Sequence, residues 1–233
     1  MTLYDGKGNE ISFASGGGSA DYPIIGARVC AIGDSNTQYM NNQLETYVKK
    51  YTGIASLRNF GTAGAWWEVR EDGEEPTTTA NNSGVGKVNQ LIASADPMTN
   101  KCTDYDIITI MLGTNCHAIG ALSDTSANVH TMCGAMRYCL EKLLYYYRGA
   151  RIGGIIPPQR AEANAEQDER NELIRSIYEE YSIPYLDLYR EGQILPDYKT
   201  PDGSGYYLSD GLHLGGNGQE SFYRKYSAFI SRL

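Results

Sequence analysis

The stretch Arg28-Val29-Cys30-Ala31-Ile32-Gly33-Asp34-Ser35-Asn36-Thr37-Gln38 decides the fold. Arg28–Ile32 reads as a short buried strand. Gly33 breaks it, and an amphipathic helical pattern starts near Gln38 and runs to Tyr51, with Tyr39, Leu44, Tyr47, Val48 and Tyr51 on roughly one face. A serine therefore sits where the first core strand turns into the first helix. In an open α/β sheet, ligands bind at that kind of junction.

The same alternation continues outward from this turn. Strands are expected over 55–60, 106–112, 151–156 and 184–188. Helices are expected over 84–94, 125–147, 161–181 and 218–231. The acidic, Thr/Asn/Gly-rich run from Glu68 to Ser83 and the segment from Tyr189 to Ser209 read as loops. Strands alternating with helices imply a parallel sheet covered on both faces. Right-handed crossovers bring all strand C-termini to one edge. Gly33-Asp34-Ser35, Gly61 and Gly113-Thr114-Asn115 each directly follow a strand, so they become neighbours in space. Residues 1–25 differ: Leu3-Tyr4 and Ile11-Ser12-Phe13 flank a turn-forming run, as in a hairpin, and Ser15-Gly16-Gly17-Gly18-Ser19 reads as a linker. The expected division is an extension over 1–25 and one domain over 26–233.

Composition narrows the function classes. At 233 residues the chain can bury a real core. A formal charge of -8 argues against a nucleic-acid partner, since phosphate binding needs a basic face. No window reaches the roughly 18 apolar residues of a membrane span. The N-terminus lacks the charged and apolar regions of a signal peptide, leaving a cytoplasmic protein or one exported after processing as the expectations. Nothing in the sequence specifies an oligomeric state. The five cysteines are odd in number and lack C-x-x-C spacing, so neither a disulfide framework nor a zinc site is expected. The 19 tyrosines fit core packing or stacking on flat ligands.

Ser35-Asn36-Thr37-Gln38 fits a capping box, with the serine oxygen capping the helix and Gln38 reaching back. The same position suits a nucleophile, because N–H groups and the dipole at a helix start stabilise an oxyanion. Serine needs a base, and the base an orienting acid. Of the three histidines, His130 falls in the long helix, and His117 could line a site but has no acid close by in sequence. His213 follows Asp210 by three residues on a Gly-containing loop, so one turn presents the carboxylate to Nδ1 and leaves Nε2 facing outward. Gly61, lacking a side chain, can bring its N–H close to a substrate, and Asn115 offers a neutral amide donor; both residues also suit plain turns. Gly84-Val85-Gly86-Lys87 is followed by Val88 instead of the Ser/Thr of a phosphate-binding loop. Cys116 and His117 are adjacent and point apart on an extended segment.

The ordered set Gly33-Asp34-Ser35, Asn59-Phe60-Gly61, Gly113-Thr114-Asn115 and Asp210-Gly211-Leu212-His213 resembles the SGNH or GDSL hydrolases over about residues 27–231. The resemblance implies a flavodoxin-like three-layer α/β/α fold with a five-stranded parallel sheet. It implies Ser35 as nucleophile, His213 as base and Asp210 as its orienter. It also implies an oxyanion hole from the Ser35 and Gly61 N–H groups and the Asn115 side chain, with no metal or cofactor. Two positions depart from the family pattern. Asn36 replaces the leucine of Gly-Asp-Ser-Leu, and Cys116-His117 stands where many members carry an aspartate after the asparagine.

The expected activity is hydrolysis of a small-molecule or glycan ester through an acyl-enzyme, with acetyl groups on carbohydrate favoured. Trp66 and Trp67, just beyond the oxyanion glycine, are the candidate stacking platform, and His117 a candidate lining residue. Rival readings are a lysophospholipase- or thioesterase-like lipolytic enzyme, and a non-catalytic glycan-binding module of a surface or phage-type assembly.

Overall fold

The computed structural model describes residues 3–4, 10–11, 24–70, 78, 80–161 and 165–233. Two short strands, β1 (Leu3–Tyr4) and β2 (Glu10–Ile11), pair antiparallel with Leu3 opposite Ile11. This is the pairing expected of the hairpin; its turn, the linker over 15–19 and half of the loop over 68–83 lie outside the described residues.

Five further strands form one all-parallel sheet: β3 (Arg28–Gly33), β4 (Ser56–Gly61), β5 (Ile107–Met111), β6 (Arg151–Ile156) and β7 (Tyr185–Asp187). Their order is β4-β3-β5-β6-β7, the flavodoxin-like arrangement. The chain leaves β3 on one side for β4 and later returns to its other side as β5, so the strand order reverses at β3. Gly33 is opposite both Gly61 of β4 and Met111 of β5. Three strands thus end level, and the loops that follow them share one edge.

Period-two alternation along the strands feeds two cores. Cys30, Ile32, Ile108 and Ile110 face one way, onto α3 (Gly84–Ile92), α4 (Met132–Tyr146) and α5 (Ala165–Glu180). Val29, Ala31, Ile107 and Met111 face the other way. There they meet Leu44 and Val48 of α2 (Asn41–Thr52) and Phe222 and Tyr226 of α7 (Gly216–Ile230). Two short helices, α1 (Ser35–Tyr39) and α6 (Leu188–Glu191), follow β3 and β7 directly. All five cysteines are buried and unpaired. No helix among the described residues is long and apolar enough to cross a membrane.

Three helices differ from expectation, the first being α6, which takes up the end of the strand expected over 184–188 and the start of the segment read as a loop from Tyr189. The helix expected from Gln38 to Tyr51 is two helices, α1 and α2, separated at Met40, and Asn41 takes a left-handed φ of 44°. The helix expected over 125–147 starts only at Met132. Thr131 caps it by accepting from the Gly134 N–H, and residues before it fold as turns. His130 accordingly lies in a turn, its ring Nδ1 2.8 Å from the Val69 carbonyl oxygen.

Candidate active site

Asp34, the last residue before α1, is the helix cap: its carboxylate accepts from the Asn36 N–H at 2.9 Å. The expected capping box is therefore displaced by one residue. Ser35 becomes the first helical residue, and its hydroxyl is released from capping. Gln38 does not reach back either; its Oε1 accepts from the Ala63 N–H at 2.6 Å, tying α1 to the turn after β4.

The freed Ser35 Oγ lies 3.0 Å from His213 Nε2. On the other side of the ring, Nδ1 lies 2.7 Å from Asp210 Oδ2. The remaining Asp210 oxygen accepts from the N–H groups of Leu212 (3.0 Å) and His213 (2.8 Å). These bonds to His213 and its own turn pull the Asp210 carboxyl down to about 2, so it stays ionised. The loop is anchored to the nucleophile turn by a bond no motif reveals: Asn36, buried, accepts the Leu214 N–H on its Oδ1 at 2.9 Å. The residue that departs from the leucine of the family pattern is thus the one that clamps the chain beside His213. Asp34 is fully buried, and burial pushes its carboxyl up to about 6 against the opposing pull of the Asn36 N–H, the Thr114 hydroxyl and His213.

Gly61 does not fill the role expected of it. Its N–H is committed to Asn59 Oδ1 at 3.0 Å. Its lack of a side chain serves packing, since a Cβ there would collide with the backbone nitrogen of Gln38 and stand 2.8 Å from the Thr37 carbonyl carbon. Three residues on, Gly64 is exposed at φ +72°, with nothing within 4 Å of where a Cβ would lie. Its N–H has no protein partner among the described residues. The open donor after β4 is therefore Gly64. Asn115 is beside it, donating from Nδ2 to the Ala65 carbonyl at 3.0 Å. An amide nitrogen carries two hydrogens, which leaves one for a ligand.

The tryptophans form no exposed platform. Trp66 is 7% exposed and Trp67 fully buried. Trp67 packs where Gly84 has no side chain, and the Arg70 guanidinium covers the Trp66 ring at 3.5 Å. Both belong to the core beneath α3 and α4. The polar composition of the residues that follow them gave no sign that the chain turns inward here. Glu68 is buried as well, and its Oε1 accepts from the N–H groups of His117 (2.8 Å) and Ala118 (3.4 Å). This carboxylate, from a distant segment, braces the loop carrying Asn115, where Cys116 replaces the expected aspartate. Burial, with Glu68 nearby, raises the Cys116 thiol well above its ordinary value, which suits packing and not nucleophilic chemistry. His117 is exposed two residues after Asn115. Sequence reasoning also missed Tyr39, whose ring centroid lies 5.0 Å from that of His213.

A hydroxyl, an imidazole and a carboxylate in hydrogen-bonded series, beside free N–H groups on neighbouring strand ends, form a site fit for acyl transfer on an α/β/α scaffold. The chain matches the model of the GDSL-like lipase/acylhydrolase family over residues 31–220 and belongs to that family, the members of which are ester hydrolases. No curated protein matches it. Among solved structures, it is similar to the lipase/acylhydrolase from Enterococcus faecalis, at 16% identity and a TM-score of 0.57, covering 88% of this chain and 95% of that one. It is similar to a protein from Lactobacillus plantarum at 21% identity and a TM-score of 0.64, covering 89% and 97%. A GDSL-like lipase from Bacteroides thetaiotaomicron aligns at 14% identity and a TM-score of 0.53, covering 89% of each chain. At these identities the likeness concerns the fold.

Proposed function

We propose that the protein is a serine esterase that acts through an acyl-enzyme on short-acyl esters of polar alcohols, acetylated carbohydrate being the favoured class. The observation that carries this reading is the series Ser35–His213–Asp210, with hydrogen bonds of 3.0 and 2.7 Å. His213 Nε2 takes the Ser35 proton as Oγ bonds to the ester carbonyl carbon. The carbonyl oxygen becomes an oxyanion, held by the Ser35 and Gly64 N–H groups and the second hydrogen of the Asn115 amide. As the intermediate collapses, the C–O bond to the alcohol breaks and the alcohol leaves with the proton from His213. A water molecule then repeats the sequence on the acyl-enzyme, giving the acid and free Ser35. Asp210, held ionised, stabilises the imidazolium at each stage and fixes the tautomer.

The side chains on either side of Ser35 and the one bonded to it are polar: Asp34, Asn36 and His213. This supports a water-soluble ester over a long acyl chain. The test is a series of 4-nitrophenyl esters from acetyl to decanoyl, with Ser35→Ala as control. Turnover is expected to be highest on acetate and absent in the variant. An apolar acyl groove would gain about 0.8 kcal/mol per buried methylene. Rising kcat/KM with chain length would therefore replace the short-acyl reading with a lipolytic one.

A further inference from the structure

Ser35 and Tyr39 stand four residues apart on α1, one turn along the same helix face. The Tyr39 ring lies 5.0 Å from the His213 ring, tilted by 55°, yet the residue is 49% exposed. A side chain packed only to support the imidazole would have little reason to remain half open to solvent. The backbone around it is special too. Helix α1 ends at Tyr39, and Asn41 takes a left-handed conformation that non-glycine residues seldom adopt. That break is held by polar bonds. Asn41 Nδ2 donates to the Tyr39 carbonyl at 3.2 Å, and Asn59 Nδ2 donates to the carbonyls of Thr37 (2.7 Å) and Asn41 (3.4 Å). The sequence would otherwise run as one helix through this point.

In the reaction proposed above, His213 Nε2 must reach the oxygen of the departing alcohol in order to protonate it. The alcohol portion of the ester therefore lies against the imidazole, on the side away from the acyl group. The exposed aromatic surface in contact with that imidazole is Tyr39. We propose that Tyr39 is a specificity-determining residue that forms the alcohol-side wall of the site and selects esters of ring-shaped alcohols, such as a pyranose or an aryl group, by stacking. This inference rests on the acyl-enzyme reading and deepens it. The aromatic platform sought at Trp66-Trp67 lies instead on the nucleophile's own helix.

Acylation and deacylation separate the two roles open to Tyr39. Acylation involves the alcohol; hydrolysis of the acetyl-enzyme uses His213 with no alcohol present. For Tyr39→Ala, kcat/KM on phenyl acetate and on an O-acetylated methyl glucoside should fall about tenfold. The value on methyl acetate, and the acetyl-enzyme hydrolysis rate from pre-steady-state bursts, should stay at wild-type levels. Tyr39→Phe should behave as wild type, because the ring face is retained. An equal loss on methyl acetate with slower acetyl-enzyme hydrolysis would overturn the proposal, making Tyr39 a positioning residue for His213. No loss on any ester would also overturn it. Should Tyr39→Ala lose its circular-dichroism signature, Tyr39→Leu, which keeps bulk without the ring, carries the same comparison. A wild-type enzyme that shows neither burst nor turnover would instead refute the acyl-enzyme reading on which the proposal stands.

Discussion

The turns after β3 and β4 are adjacent at one sheet edge, where Gly33 and Gly61 end their strands side by side, yet they dispose of their side chains oppositely. The turn after β3 points its chemistry outward to the site: Asp34 caps α1, and Ser35 is left to meet His213. The turn after β4 folds its large residues inward, burying Trp66, Trp67 and Glu68, and leaves backbone on the surface at Gly64. In the proposed reaction the first turn supplies the reacting atom and the second a surface to bind against. In the second, the buried residues are what hold the exposed backbone in place. Glu68 braces the loop of Asn115 from below, and Asn115 ties back to Ala65.

The sharpest way to break this contrast is to remove the one side-chain donor. Asn115→Ala should lower kcat by about 100- to 1,000-fold while leaving the fold intact, the range typical of a lost oxyanion donor. A smaller loss, or one confined to KM, would return Asn115 to a turn-forming role.

Gly61, which closes β4, and Gly64, in the turn after it, give the next test. Gly61→Ala forces a Cβ into the backbone of Gln38, and overpacking of that kind costs about 1–3 kcal/mol or more. Thermal unfolding should show a clear fall in Tm. Gly64→Ala meets no atom and carries only the strain of a left-handed alanine, about 1–2 kcal/mol. Its larger effect should be on kcat, through a displaced N–H. If Gly61→Ala impairs turnover without lowering Tm, the assignment of the open donor to Gly64 is wrong.

The smallest effect concerns the first turn's buried cap. Asp34 has its carboxyl raised from 3.8 to about 6 by burial, so the folded state binds its proton more tightly than the unfolded chain does. The stability it contributes is whole below about pH 4 and declines as pH rises through about 6. Asn is an equally good helix cap and does not titrate. Denaturant midpoints of Asp34→Asn should be flatter than wild type across that window. Parallel curves for the two proteins would show that Asp34 does not titrate there.

How much of this was legible in the sequence follows from the range of the interactions involved. All five sheet strands were readable because apolar runs bounded by glycine or proline are local signals. Ser35, Asp210 and His213, which the fold brings into one hydrogen-bonded series, were readable because each sits in a short motif at a strand end or on a late loop. What escaped depended on partners far along the chain. Glu68 sits in a run whose polarity reads as solvent-exposed loop, and only the folded chain brings it beneath His117. The break at Met40 interrupts an unbroken helical pattern, and the Asn59 bonds that hold it come from β4. Gly61 and Gly64 are indistinguishable as letters; the approach of α1 separates them.

The central claim is that Ser35 is a nucleophile activated by His213. The most direct measurement is covalent labelling with a fluorophosphonate, read by intact mass and peptide mapping. The account predicts one adduct per chain, located on Ser35, and none on a folded Ser35→Ala variant. An unlabelled wild-type protein, or an adduct on another residue with turnover surviving in Ser35→Ala, would contradict it.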